Sequence, residues 1–121
     1  GDYKKVLDIL HKFLKVKGKC LPAIAKKTSL FAILENGQVI KGEDEIDVPK
    51  KHNGELKIKR IFLKPRVQAY PPVLRAIREA NLITLGPGDL YSSILPCFLA
   101  SGIKEAIQRT KAKIVFICPA M

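Results

Sequence analysis

Histidine and cysteine are scarce in this 121-residue chain, and no apolar run approaches the roughly 20 residues a membrane-spanning helix needs. Each scarcity excludes something. His11 and His52 are too few and too isolated to complete a zinc site. Cys20, Cys97 and Cys118 are odd in number, far apart and without C-x-x-C spacing, and each has apolar neighbours. They are predicted to be buried free thiols rather than metal ligands or a reactive thiol. No signal-peptide pattern opens the chain, which makes the cytosol the expected compartment. Neither a G-x-G-x-x-G fingerprint nor a Walker A loop is present, and no nucleophile elbow or Ser–His pairing suggests hydrolysis. Internal repeats and low-complexity tracts are also missing.

What the chain does contain is globular. At 47% hydrophobic and 27% charged, it has enough apolar material for one core and too much for disorder. The formal net charge is +11, of which +8 falls in residues 1–66 and +3 in residues 67–121. The lysines are spread over helix, loop and strand positions. The aromatics Tyr3, Phe13, Phe31, Phe62, Phe98 and Phe116 occupy apolar periodic positions and are predicted to be core, not stacking platforms for bases. This argues for a solvated basic surface and against nucleic acid or membrane as partner.

Apolar residues at Tyr3, Val6, Leu7, Leu10, Phe13 and Leu14 repeat at helical spacing, with Asp2 as candidate N-cap and Gly18 as the stop. From Leu21 the pattern changes to strands. "SLFAILENGQVIKGE" alternates about an Asn36-Gly37 hairpin turn, and "KKHNGELKIKRIFL" repeats the device near Asn53-Gly54. Between them "GEDEIDVPK" reads as an acidic turn. Glu43 and Glu45 could coordinate Mg²⁺ or act as acid and base, but a solvated loop is the simpler reading.

Pro71-Pro72 suits the first turn of a helix carrying Val73, Leu74, Ile77 and Ala80 on one face. "LITLG" and "KIVFIC" are short continuous apolar runs, the pattern of strands covered on both faces. Residues 91–110 between them are long enough for a right-handed parallel crossover, broken by Pro96 and Gly102 into two helical pieces. The expected fold class is α/β: a partial Rossmann-like three-layer parallel sheet with a small antiparallel strand insertion. The expected division is a core helix in 1–20, an antiparallel β insertion in 21–66 and a βαβ unit in 67–121. The chain stops directly after a presumed central strand, so it reads as a fragment or as a chain that associates with itself.

The segment "LGPGDLYSS" falls at the carboxyl end of the first strand of the βαβ unit, where open α/β sheets hold their ligands. Gly86 and Gly88 permit close backbone approach, and Pro87 stiffens the turn. The N–H groups from Gly88 to Ser93, the following helix start and the Ser92 and Ser93 hydroxyls are suitable apparatus for a phosphate or carboxylate. The alternative is a plain structural turn in which Asp89, Ser92 or Ser93 caps a helix and Tyr91 only packs. Both readings are open from the residues. Asp89 is the one acid at the turn that could hold Mg²⁺ against a phosphate.

The block "AIREANLITLGPGDLYSSILPCFLASGIKEAIQRTKAKIVFICPAM" resembles the bacterial gluconeogenesis factor (YvcK-like) family, related to the CofD-like 2-phospho-L-lactate transferases. "VKGKCLPA" and "SLFAILENGQVIKGEDEI" resemble that family's small strand insertion. Gly86, Pro87, Gly88, Leu90, Tyr91, Ser93 and Pro96 match the family's Gly-Pro-Gly motif. Asp89 stands where that motif has Ser, Ser92 where it has Thr, and Pro119-Ala120 where it has Asn-Leu. The resemblance implies a Rossmann-like fold and a nucleotide-linked ligand such as a UDP-sugar. It implies a regulatory role in carbon metabolism and cell shape or, in the transferase branch, Mg²⁺-assisted phosphotransfer. The third reading is a structural or interaction module. The family's amino-terminal glycine-rich turn and acidic segment have no counterpart in the chain.

Overall fold

A computed structural model of the chain describes residues 3–15, 17–48 and 53–118, with residues 3 and 4 described by their backbone. Asp2, His52 and the Pro119-Ala120 departure lie outside the described residues. The first helix, α1 (Tyr3–Leu14), follows the helical spacing but ends before Gly18, with Lys15 at φ 50°. The Nε2 of His11 accepts a hydrogen bond from the Cys20 N–H at 2.9 Å, which ties the helix to the segment after it.

Strands β1 (Ser29–Leu34), β2 (Val39–Lys41) and β3 (Ile58–Lys64) form an antiparallel sheet in the order β2-β1-β3. The β1–β2 hairpin closes where the Asn-Gly pair predicts. Gly37 sits at φ 86°, and the Asn36 side chain accepts from the Gln38 N–H at 2.9 Å. Asn53 makes a similar side-chain turn before β3, accepting from the Glu55 N–H at 3.0 Å, but it closes no second hairpin: the element before it is a helix, and β3 pairs with β1. Alternation along β1 sends Ala32 and Leu34 into a core with Ile40 and Ile46, against which Leu30, Leu56, Ile58 and Ile61 pack. Leu34 is fully buried, worth about 1.5–3 kcal/mol of transfer free energy. On the opposite face Phe31 and Phe62 stack with ring centroids 5.3 Å apart.

The acidic segment is not a turn but a short helix, α2 (Glu43–Asp47). Three of its four acids, Glu43, Asp44 and Glu45, occupy the first turn, where they suit the positive end of the helix, and Ile46 anchors it in the first core. The signal was a single apolar residue inside a charged run.

The second core joins Ala69, Ala100 and Ile103 to Ala23, Ile24, Val73, Leu74, Ile77, Phe98 and Ile107. Helix α3 (Pro71–Glu79) has proline in its first turn and packs against α5 (Ile103–Arg109). Gly102, at φ 103°, lets α5 begin against Leu74, whose Cδ1 would lie 3.3 Å from an added Cβ. Strand β4 (Leu82–Leu85) pairs in parallel with β5 (Lys113–Phe116), Leu82 opposite Lys113 and Leu85 opposite Phe116. The chain is therefore α/β, with a parallel strand pair joined by a helical crossover and a small antiparallel sheet. The crossover has three helical pieces rather than two: a π-helical turn (Leu90–Ile94), α4 (Leu95–Phe98) and α5. Pro96 opens α4 instead of breaking a helix, because proline fits the first turn.

Three burial expectations are corrected. The apolar runs at β4 and β5 are not covered on both faces: Leu82, Thr84 and all four residues of β5 are exposed. Phe13 and Phe116 are not core, at 82% and 51% exposed. Cys20, Cys97 and Cys118 lie exposed rather than in the core, with the Cys97 side chain about half covered. In each case apolar spacing marks the side that wants cover, while burial requires a second surface, and among the described residues none is packed there.

Candidate anion-binding turn

The Gly-Pro-Gly turn does follow β4 at its carboxyl end, beside the end of β5. The Ile117 N–H donates to the Leu85 carbonyl at 2.9 Å. Gly86 is required there. At φ 90°, an added Cβ would lie 2.8 Å from the Ile117 carbonyl oxygen. Gly88 packs closely as well, 3.2 Å from the Ser93 Cβ to an added Cβ. Pro87, Asp89, Leu90 and Tyr91 lie exposed at the surface of the turn.

Not all of the amides expected to face a ligand are free. The Asp89 carboxylate accepts from the Tyr91 N–H at 3.3 Å, so this acid caps the π-helical turn as the structural reading predicts. The Asp89 carbonyl accepts from the Ser93 N–H at 3.1 Å and the Ile94 N–H at 2.9 Å. The N–H groups of Gly88, Asp89, Leu90 and Ser92 donate to no protein acceptor among the described residues. Two donors of the expected set are consumed, and the rest are available.

The two serines part company. Ser93 is exposed, and its carbonyl accepts from the Cys97 thiol at 3.4 Å. Ser92 is 6% exposed, and its Oγ is buried without a hydrogen-bond partner. A buried hydroxyl left unpaired costs about 1–3 kcal/mol, which marks it for explanation. Pro96 lies one turn on, in α4. Burial raises the Cys97 thiol above its ordinary value, with a backbone hydrogen bond pulling the other way.

Helix α2 packs against the π-helical turn. Glu43 and Glu45, distant in sequence, thus belong to an element beside the Gly-Pro-Gly turn, which no local spacing could reveal. No group of three or more His, Cys, Asp or Glu able to hold a metal ion occurs among the described residues. Among the described residues, a cavity of about 340 Å³ lies between β3 and the α4 end and another of about 230 Å³ beside Pro22 and Ile24, both apart from the turn.

A parallel βαβ unit with a glycine-proline-glycine turn at the carboxyl end of its first strand is the class of protein this geometry defines. The profile of the family described as 2-phospho-L-lactate transferase CofD matches residues 1–121, and the chain belongs to that family. It is 40% identical over 122 residues to the gluconeogenesis factor of Halalkalibacterium halodurans, covering 100% of this chain and 36% of that relative. It is 41% identical over 122 residues to the gluconeogenesis factor of Bacillus subtilis, covering 100% of this chain and 37% of that protein. The solved structure of protein BH3568 from Bacillus halodurans superposes with a TM-score of 0.87 at 39% identity, covering 98% of this chain and 37% of that one. The chain thus spans little more than a third of the length of these relatives. No helix among the described residues is long and apolar enough to cross a membrane.

Proposed function

We propose that residues 86–93 hold the phosphate of a nucleotide-linked ligand such as a UDP-sugar, in a ligand-binding regulatory protein of the gluconeogenesis factor kind. The observation that carries this reading is the set of backbone N–H groups at Gly88, Asp89, Leu90 and Ser92 that have no protein acceptor among the described residues. They lie at the carboxyl end of a parallel strand, the usual ligand position in open α/β sheets. Such donors favour an anion because backbone amides carry no desolvation-sensitive charge and are fixed by the turn. The unpaired Ser92 hydroxyl adds a donor at the same turn. The Asp89 carboxylate, which would repel a phosphate, is turned to the Tyr91 N–H. A role in carbon metabolism and in the control of cell shape belongs to the same proposal.

The test is calorimetric titration of the chain with UDP-glucose, beside a Leu90→Pro variant. Leu90 opens the π-helical turn, its N–H has no acceptor, and Asp89 at ψ 138° already has the extended backbone that precedes proline. The substitution therefore deletes one donor and leaves the turn intact. A hydrogen bond to a charged group is worth about 1.5–3 kcal/mol, so affinity falls roughly 10- to 100-fold. Absence of heat at millimolar ligand, or equal affinity in the variant, removes the reading.

A second reading, Mg²⁺-assisted phosphotransfer of the 2-phospho-L-lactate transferase type, is supported by the family description and by the acidic α2 lying against the turn. Asp89 would have to leave its capping bond to take part. Transfer of phospholactate to a deazaflavin acceptor separates the two readings.

A further inference from the structure

Away from the Gly-Pro-Gly turn, the cavity of about 340 Å³ is lined by Arg60, Phe62, Arg66, Phe98, Leu99 and Ser101 among its residues. Its chemistry is two-sided. The aromatic and aliphatic walls come from β3 and from the end of α4, elements that pack against each other. Phe62 is held by its stack on Phe31 at an interplanar angle of 12°, so that wall is fixed before any ligand arrives. The Arg60 guanidinium carbon lies 6.0 Å from the Phe62 ring centroid, a cation–π contact that steadies the head of a long side chain. No carboxylate pairs with the guanidinium of Arg60 or Arg66 among the described residues, and none lines the cavity. Two unneutralised forks beside a hollow whose open lining is mainly polar, with Phe62 and Phe98 in its walls, suit a polar molecule that carries an anionic end and a ring. Guanidinium geometry matches phosphate and carboxylate oxygens in pairs. The volume lies at the small end of the ~300–1,000 Å³ typical of ligand pockets.

We propose that this cavity is a second ligand site, for a ring-bearing phosphate ester the size of a mononucleotide. The ring packs against Phe98 and the edge of Phe62, the phosphate meets Arg60 and Arg66, and Ser101 offers its hydroxyl at the rim. The proposal stands independently of the turn at residues 86–93. The net charge of +11 assists it by drawing anions to the surface.

The experiment titrates the ¹⁵N-labelled chain with AMP, adenosine and inorganic phosphate and follows amide chemical shifts. AMP is expected to shift residues 60–66 and 98–101 and to saturate, with adenosine and phosphate each at least about tenfold weaker because each lacks half of the contacts. Arg60→Gln and Arg66→Gln are each expected to weaken AMP about tenfold or more. Both side chains are exposed, so the fold survives; should loss of the Arg60 stack lower the melting temperature, the Arg66 variant carries the comparison. Shifts confined to residues 86–93, phosphate binding as well as AMP, unchanged affinity in the double variant, or no saturable shift at 10 mM AMP would each overturn the assignment.

Discussion

Replacing Ser92 by alanine separates the energetics of the folded chain from those of its ligand. The Ser92 Oγ is buried and has no hydrogen-bond partner, so the folded state carries a desolvated hydroxyl that the unfolded chain hydrates. That cost is about 1–3 kcal/mol, whereas a satisfied hydroxyl contributes about 0.5–1.5 kcal/mol in the other direction. Ser→Ala deletes one oxygen and opens almost no cavity, so the polar term dominates. The variant is expected to be stabilised by about 1 kcal/mol, a rise of roughly 3–5 °C in melting temperature for a domain of this length. With UDP-glucose present the sign reverses. If the hydroxyl donates to the bound phosphate, the variant loses part of the ligand-induced gain, which is about 2.7 kcal/mol for the native chain at a hundredfold excess over Kd. Thermal unfolding by circular dichroism, with and without UDP-glucose, reads both signs. A Ser92→Ala chain that melts below the native chain without ligand refutes the reasoning, because the hydroxyl would then be paired within the protein.

Gly86→Ala places a Cβ 2.8 Å from the Ile117 carbonyl oxygen at φ 90°. The variant should lose about 2–4 kcal/mol, from backbone strain plus a contact with main chain that cannot step aside; a chemical denaturation midpoint within error of the native one would contradict this. Because burial raises the Cys97 pKa in the folded chain above its ordinary value of 9.0, folding favours the protonated thiol. The associated stability is complete below the unfolded value and is lost as pH rises through the folded one. Denaturation midpoints should therefore fall on the alkaline side of pH 9, and fall less in Cys97→Ala. An equal slope in both chains would show that the fall has another source.

Much of the local architecture was readable from residues a few positions apart. Asn36-Gly37 specifies its hairpin because the pair tolerates the backbone that a tight antiparallel turn needs. Pro71-Pro72 starts α3 for the complementary reason, a preset φ and no N–H to leave unpaired. Two continuous apolar runs spaced by a helical crossover identified the parallel pair, since only a long connection returns a strand in the same direction. The Gly-Pro-Gly block carried the resemblance to the family to which the chain belongs.

What those patterns left undecided depended on groups far apart in the chain. The acidic run is helical because Ile46 finds a pocket among Ala32, Leu34 and Ile40, and a lone apolar residue does not announce its pocket. The cysteines, Phe13 and the outward side of the parallel pair are apolar in pattern yet exposed, since spacing records preference whereas exposure records which neighbour is present. Which amides of the turn stay free was likewise invisible in its composition: Asp89 captures those of Tyr91, Ser93 and Ile94 and leaves those of Gly88, Asp89, Leu90 and Ser92. Hydrogen-bond partners are assigned by the three-dimensional path of the chain, and a string of residue types does not contain that path.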